Sequence, residues 1–121
     1  MGTHKDLDVW KLGMQIVKDI YAATAKFPQE EMYGLTSQLR RAAVSVPANI
    51  AEGAARNGKK EFIQFLYVSL GSLSEIETLL IIVGDLNYLA NDELINQVTS
   101  LRMKLLNLIK YFKSKSIVRK K

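Results

Sequence analysis

Apolar residues recur at intervals of three and four along most of this chain, and nowhere do they alternate as in a half-buried strand. In the first periodic segment Val9, Leu12, Ile16, Ile20, Ala23 and Phe27 share one face. Pro28 follows, and the residue before a proline is pushed out of the α region, so the pattern predicts a helix over 7–27. A second helix is predicted over 32–52, with Leu35, Leu39, Ala42, Val46 and Ile50 as its apolar stripe. Beside that stripe run Gln38, Arg41, Ser45, Asn49 and Glu52. Pro47 lies within the segment; its ring removes a donor and crowds the carbonyl of Ala43, which predicts a kink rather than a break. Gly53 offers a stop, and Arg56, Asn57 and Gly58 read as a loop.

The third segment, 60–86, carries two apolar seams. One is Phe62, Leu66, Ser69, Leu73, Ile76, Leu80 and Val83; the other is Phe65, Val68, Ser72, Leu79, Ile82 and Leu86. Only Lys60, Gln64, Tyr67, Gly71, Ser74, Thr78 and Asp85 make a polar face. Three partner helices cover one side of such a helix, so the second seam predicts contact with other copies of the chain. The fourth helix, 92–115, opens on Asn91, Asp92 and Glu93, a capping residue followed by acids that suit the helix dipole. Its seam is Leu94, Val98, Leu101, Leu105, Leu108 and Phe112. The connections are short. The pattern predicts an all-α fold, one antiparallel up-down-up-down four-helix bundle over 1–121, with helix 2 kinked at Pro47 and a basic tail over 113–121.

Composition narrows the chemistry. The chain has 121 residues, 48% hydrophobic and 24% charged, as an ordinary globular domain does. It has no cysteine and a single histidine, His4. That excludes disulfides, thiolate metal sites, Ser-His-Asp catalysis and Glu-x-x-His di-iron centres, so neither enzyme activity, metal nor cofactor is expected. No uninterrupted apolar run approaches the ~20 residues that span a bilayer, and the first residues lack the apolar stretch of a secretory signal. A cytoplasmic protein without membrane contact is the expectation.

Charge suggests a partner. The net charge is +5, and no acid follows Glu93, whereas Arg102, Lys104, Lys110, Lys113, Lys115, Arg119, Lys120 and Lys121 are basic. A second cluster, Arg40, Arg41, Arg56, Lys59 and Lys60, surrounds the second helix and the loop after it. Such clusters gain affinity for phosphates by releasing counterions. The candidate nucleic-acid contacts are Arg40, Arg41, Arg56, Lys59, Lys60, Lys110, Lys113, Lys115, Arg119, Lys120 and Lys121. Lysines at a helix end also complement its dipole, and the same face could dock an acidic protein, such as a polymerase subunit. No sequence-reading motif is present, so RNA and DNA are equally acceptable. Trp10, Tyr21 and Tyr33 could stack on bases, although Trp10 fits better as packing beside Met14, Val17 and Tyr21. Small residues of helix 2, with Ser69, Gly71 and Ser72, leave room for close helix approach. Glu75, in a segment otherwise rich in small and apolar residues, is expected to be partly buried and to meet Arg40, Arg41 or Asn49, since a buried charge must be paired.

The run from Gln38 to Gly53, with Ser45, Pro47, Asn49, Glu52 and Gly53 as its most specific positions, resembles a known signature. It is that of the bacterial four-helix-bundle proteins encoded by intervening sequences in 23S rRNA genes. Residues 6–10 and 62–77 are similar to the same family. The resemblance implies a homopentameric barrel without established enzyme activity. It also implies kinship with the accessory variability protein of diversity-generating retroelements, which binds nucleic acid and a reverse transcriptase through a basic surface. The motif residues Ser45, Asn49, Glu52 and Glu75 read as a structural polar network around the kink.

Overall fold

The protein is described here by a computed structural model covering residues 2–119, with side chains through residue 115. Four helices carry the fold: α1 (Asp8–Thr24), α2 (Leu35–Ala55), α3 (Lys59–Asp85) and α4 (Asp92–Arg119). No strand occurs among the described residues. Each helix packs on two neighbours, α1 on α2, α2 on α3, α3 on α4 and α4 on α1, which closes a four-helix bundle. Ile16, Ile20, Leu39, Val46, Ile50, Leu66, Leu73, Ile76, Leu80, Val98, Leu101 and Leu105 fill its centre.

Local chemistry sets the helix ends. α1 ends at Thr24, whose hydroxyl donates to the carbonyl of Ile20 at 2.7 Å, although Phe27 beyond it is still buried. A single 3-10 turn, Gln29–Glu31, then delays α2 until Leu35. Glu31 supplies the missing cap, its Oε1 accepting the amide of Leu35 at 3.3 Å. α3 closes in a Schellman motif: the Tyr88 amide donates to Val83 and the Asn87 amide to Gly84, with Asn87 at a left-handed φ of 61°. Asn91 does not cap α4. Its Nδ2 donates to the carbonyl of Leu80 at 2.9 Å, which ties the α3–α4 connection back onto α3. Tyr88 packs on Phe27 and donates its hydroxyl to Glu31 at 3.2 Å. Burial, reinforced by the Glu31 carboxylate, raises the tyrosine pKa.

α2 is continuous through Pro47. The proline is buried, and its ring faces Gly13 of α1, where a Cβ would lie 3.4 Å from Pro47 and Val46. Farther along, Gly53 meets the start of α3. A Cβ there would stand 2.7 Å from Cβ of Phe65 and 2.9 Å from the Phe62 ring, so only glycine fits without movement. Gly71, in contrast, faces open space, so it does not serve close approach.

The two seams of α3 fare differently. Leu66, Ser69, Leu73, Ile76, Leu80 and Val83 are buried and Phe62 is half-buried. In the second seam, Leu79 is only 6% exposed, covered by the chain's own core, while Val68, Ile82 and Leu86 are 49%, 39% and 48% exposed. In α4 the buried row passes from Leu105 to Ile109, leaving Leu108 and Phe112 half-buried, because a 3.6-residue helix drifts off a strict 3.5-residue repeat. Length and composition alone would let α3 cross a bilayer: its most apolar window averages a hydropathy of 1.6, and 44% of that window is buried in the bundle. Glu75 and Glu77 lie in the middle of this helix.

Candidate nucleic-acid interface

Part of one basic cluster, Arg56, Lys59 and Lys60, meets the lysines of α4, some fifty residues later in sequence, at one end of the bundle, whereas Arg40 and Arg41 lie about 20 Å back along α2 and do not join them. Phe62, in the first turn of α3, stacks on Phe112 near the end of α4, with ring centroids 5.1 Å apart. Lys113 of α4 reaches across to α3, its Nζ donating to the Tyr67 hydroxyl at 2.8 Å. Arg56 and Lys60 beside α3 therefore lie at the same end as Lys110, Lys113 and Lys115, all of them exposed. α4 remains helical through Arg119, so Lys113 and Lys115 sit on a helix rather than in a tail. The Arg119 side chain, and Lys120 and Lys121 altogether, fall outside the described residues.

The remaining candidates separate by role. Arg40 is half-buried and occupied: its Nε donates to Thr24 Oγ1 at 2.8 Å, and its guanidinium lies 4.5 Å from the centroid of the Tyr21 ring. A second donor of Arg40 reaches the carbonyl of Tyr21 at 3.4 Å. It joins the end of α1 to the start of α2 and presents little to a ligand. Arg41, one helical step of about 100° away, is exposed. It lines a groove of about 450 Å³ between α2 and α3, with Tyr33, Gln38, Ser45, Ser72 and Glu75. Arg56 spends part of its charge on Glu52, 2.7 Å away within α2 and the turn after it, and lies over the ring of Phe65. Lys59 is half-buried at the first position of α3. With Thr3, His4, Arg56 and Asn57 it lines an open hollow of about 600 Å³ at the bundle end.

The expected four-residue polar network is smaller. Ser45 and Ser72 share a hydrogen bond of 2.8 Å, and Asn49 donates to Ser45 Oγ at 2.9 Å and to the Ser45 carbonyl at 2.8 Å. Ser69, fully buried, donates to the carbonyl of Val46 at 2.9 Å. Glu52 belongs instead to the surface pair with Arg56. Glu75 is exposed on the wall of the α2–α3 groove and forms no hydrogen bond or ion pair among the described residues. An exposed carboxylate needs no buried partner. Of the candidate stacking residues, Trp10 is half-buried against His4, with centroids 5.3 Å apart, and Tyr21 lies under Arg40. Tyr33 is almost wholly exposed, away from the lysines. Sequence reasoning missed Tyr67 and Tyr111, both about half exposed beside lysines. The spacing of Lys60 and Tyr67, two turns apart on the polar face of α3, was the available signal. No group of three or more histidine, aspartate or glutamate side chains gathers among the described residues.

Residues 5–111 match the family described as 23S rRNA-intervening sequence protein. The chain belongs to that family. Among solved structures, this family member is similar to a protein of unknown function from the S23 ribosomal protein family of Bacteroides thetaiotaomicron VPI-5482, with a TM-score of 0.75. The two share 21% identity over 84% of this chain and 98% of the other, a likeness of fold. No match was found among curated proteins.

Proposed function

We propose that this 23S rRNA-intervening sequence protein is a non-enzymatic cytoplasmic bundle that holds RNA or DNA without reading its sequence. The supporting observation is the convergence of Arg56, Lys60, Lys110, Lys113 and Lys115 on one end of the molecule through the Phe62–Phe112 contact. α4 adds no acid to that end, since none follows Glu93. Positive charge concentrated in this way binds phosphate chiefly by releasing counterions, which makes the affinity fall steeply with salt. A filter-binding titration tests this. Binding at about 50 mM salt that weakens by orders of magnitude at about 200 mM supports it. No binding at the lower salt, or indifference to salt, overturns it.

A second part of the proposal is self-association, as a pentamer if the family resemblance extends to assembly. It is favoured by Val68, Ile82 and Leu86, which leave one flank of α3 apolar and exposed. Sedimentation should give a mass well above the 13.6 kDa of one chain. Ile82→Glu should then split the assembly; Leu79 is unsuitable for this test because it belongs to the core. A single-chain mass in the unaltered protein would remove this part.

A further inference from the structure

We infer that the outer face between α3 and α4, at its lysine-rich end, takes single-stranded nucleic acid, with Tyr67 as the surface on which a base stacks. This rests on the nucleic-acid reading above and narrows it to one kind of strand. Tyr67 is 45% exposed on the outer face of α3. Lys60 lies two turns before it on the same row, about 10.5 Å along the axis. From α4, Lys113 reaches over the hydroxyl end of the ring, its Nζ 2.8 Å from the hydroxyl and 5.2 Å from the ring centroid. Lys110, one turn earlier on α4, is exposed.

The charges nearby favour the same ligand. Glu77, the acid of α3 that faces α4, is already paired with Arg102 at 3.0 Å. α4 contributes no carboxylate beyond its first turn. A phosphate backbone crossing this face therefore meets the ammonium group of Lys113 at the ring, with Lys60 and Lys110 exposed farther along α3 and α4. An exposed aromatic face attracts any base, because every base has a π-face, and it is of use only to bases free of a double-helical stack. A duplex could use the lysines but not the ring. Preference for single strands is thus the property that separates this surface from a merely basic one.

The test uses the whole protein and fluorescence anisotropy. The probes are labelled oligo(dT) and oligo(rU) of about fifteen nucleotides, and a duplex of the same length, at about 50 mM salt. The single strands should bind about ten-fold more tightly than the duplex. Tyr67→Leu should weaken single-strand binding about ten-fold and leave duplex binding unchanged, whereas Tyr67→Phe should keep most of the affinity. Circular dichroism and thermal melting check that the variants remain folded. Equal affinity for both forms overturns the inference, as does a folded Tyr67→Leu that binds single strands normally. A Tyr67→Phe loss as large as that of Tyr67→Leu also overturns it, since the hydroxyl and not the ring would then matter. In those cases salt-sensitive binding to both forms would leave the broader reading standing; no binding to any probe would sink both.

Discussion

The two sides of α3 are built by opposite rules. Toward α2 the contacts are made by small groups: Gly53 against Phe62 and Phe65, Ser45 against Ser72, and Ser69 against the carbonyl of Val46. Toward α4 they are made by long side chains, the Arg102–Glu77 pair, the Phe62–Phe112 stack and the Lys113–Tyr67 bond. Small residues bring backbones close, and the groups that make these contacts are spent on them. Long ones hold the helices together from their outer edges, where part of each side chain stays in water. On the α2 flank the contacting groups are buried or half-buried, and on the α4 flank the contacting Tyr67 and Lys113 are themselves exposed.

Substitutions can break this contrast. Gly53→Ala should be the most damaging, at about 1–3 kcal/mol, because the new methyl meets Cβ of Phe65 at 2.7 Å and cannot be accommodated by a rotamer change. Urea denaturation measures it; an unchanged midpoint would mean that the α2–α3 approach is looser than described. Gly71→Ala, in α3 and with nothing within 4 Å, should raise stability by about 0.5–1 kcal/mol through helix propensity. Arg102→Gln, on the α4 side, should cost no more than about 1 kcal/mol, since the pair it breaks with Glu77 is partly exposed. The smallest effect belongs to the end of α3. Tyr88 has a folded-state pKa above that of the unfolded chain, so its contribution is complete below the unfolded value of about 10 and is lost as pH rises through the folded one. Melting temperatures should therefore fall more steeply above about pH 10 in the unaltered protein than in Tyr88→Phe.

The helical architecture was legible because periodicity is a local signal. Leu66, Leu73, Ile76 and Leu80 announce their burial by spacing alone, and so do Val98, Leu101 and Leu105. What spacing could not give was the identity of the neighbour. Leu79 and Ile82 lie on the same flank of α3, yet one is covered by its own chain and the other is exposed. Arg40 and Arg41 are adjacent in sequence, and about 100° around α2 decides that the first is pinned to α1 and the second meets water. The joining of the two lysine clusters depends on where the ends of α3 and α4 fall, which no single segment contains. The small and apolar sequence neighbours of Glu75 suggest partial burial, but its neighbours in space are polar groove residues and it is exposed.

Pro47 and Gly13 have a consequence for alignment. Sliding α1 along α2 by one turn would bring Val9 or Val17 to the place where the pyrrolidine ring now rests against a bare α-carbon. A branched side chain could not enter that space without pushing the helices apart. The pair acts as a pin in a notch, so the first two rods of the bundle can mesh at one setting and not at its neighbours.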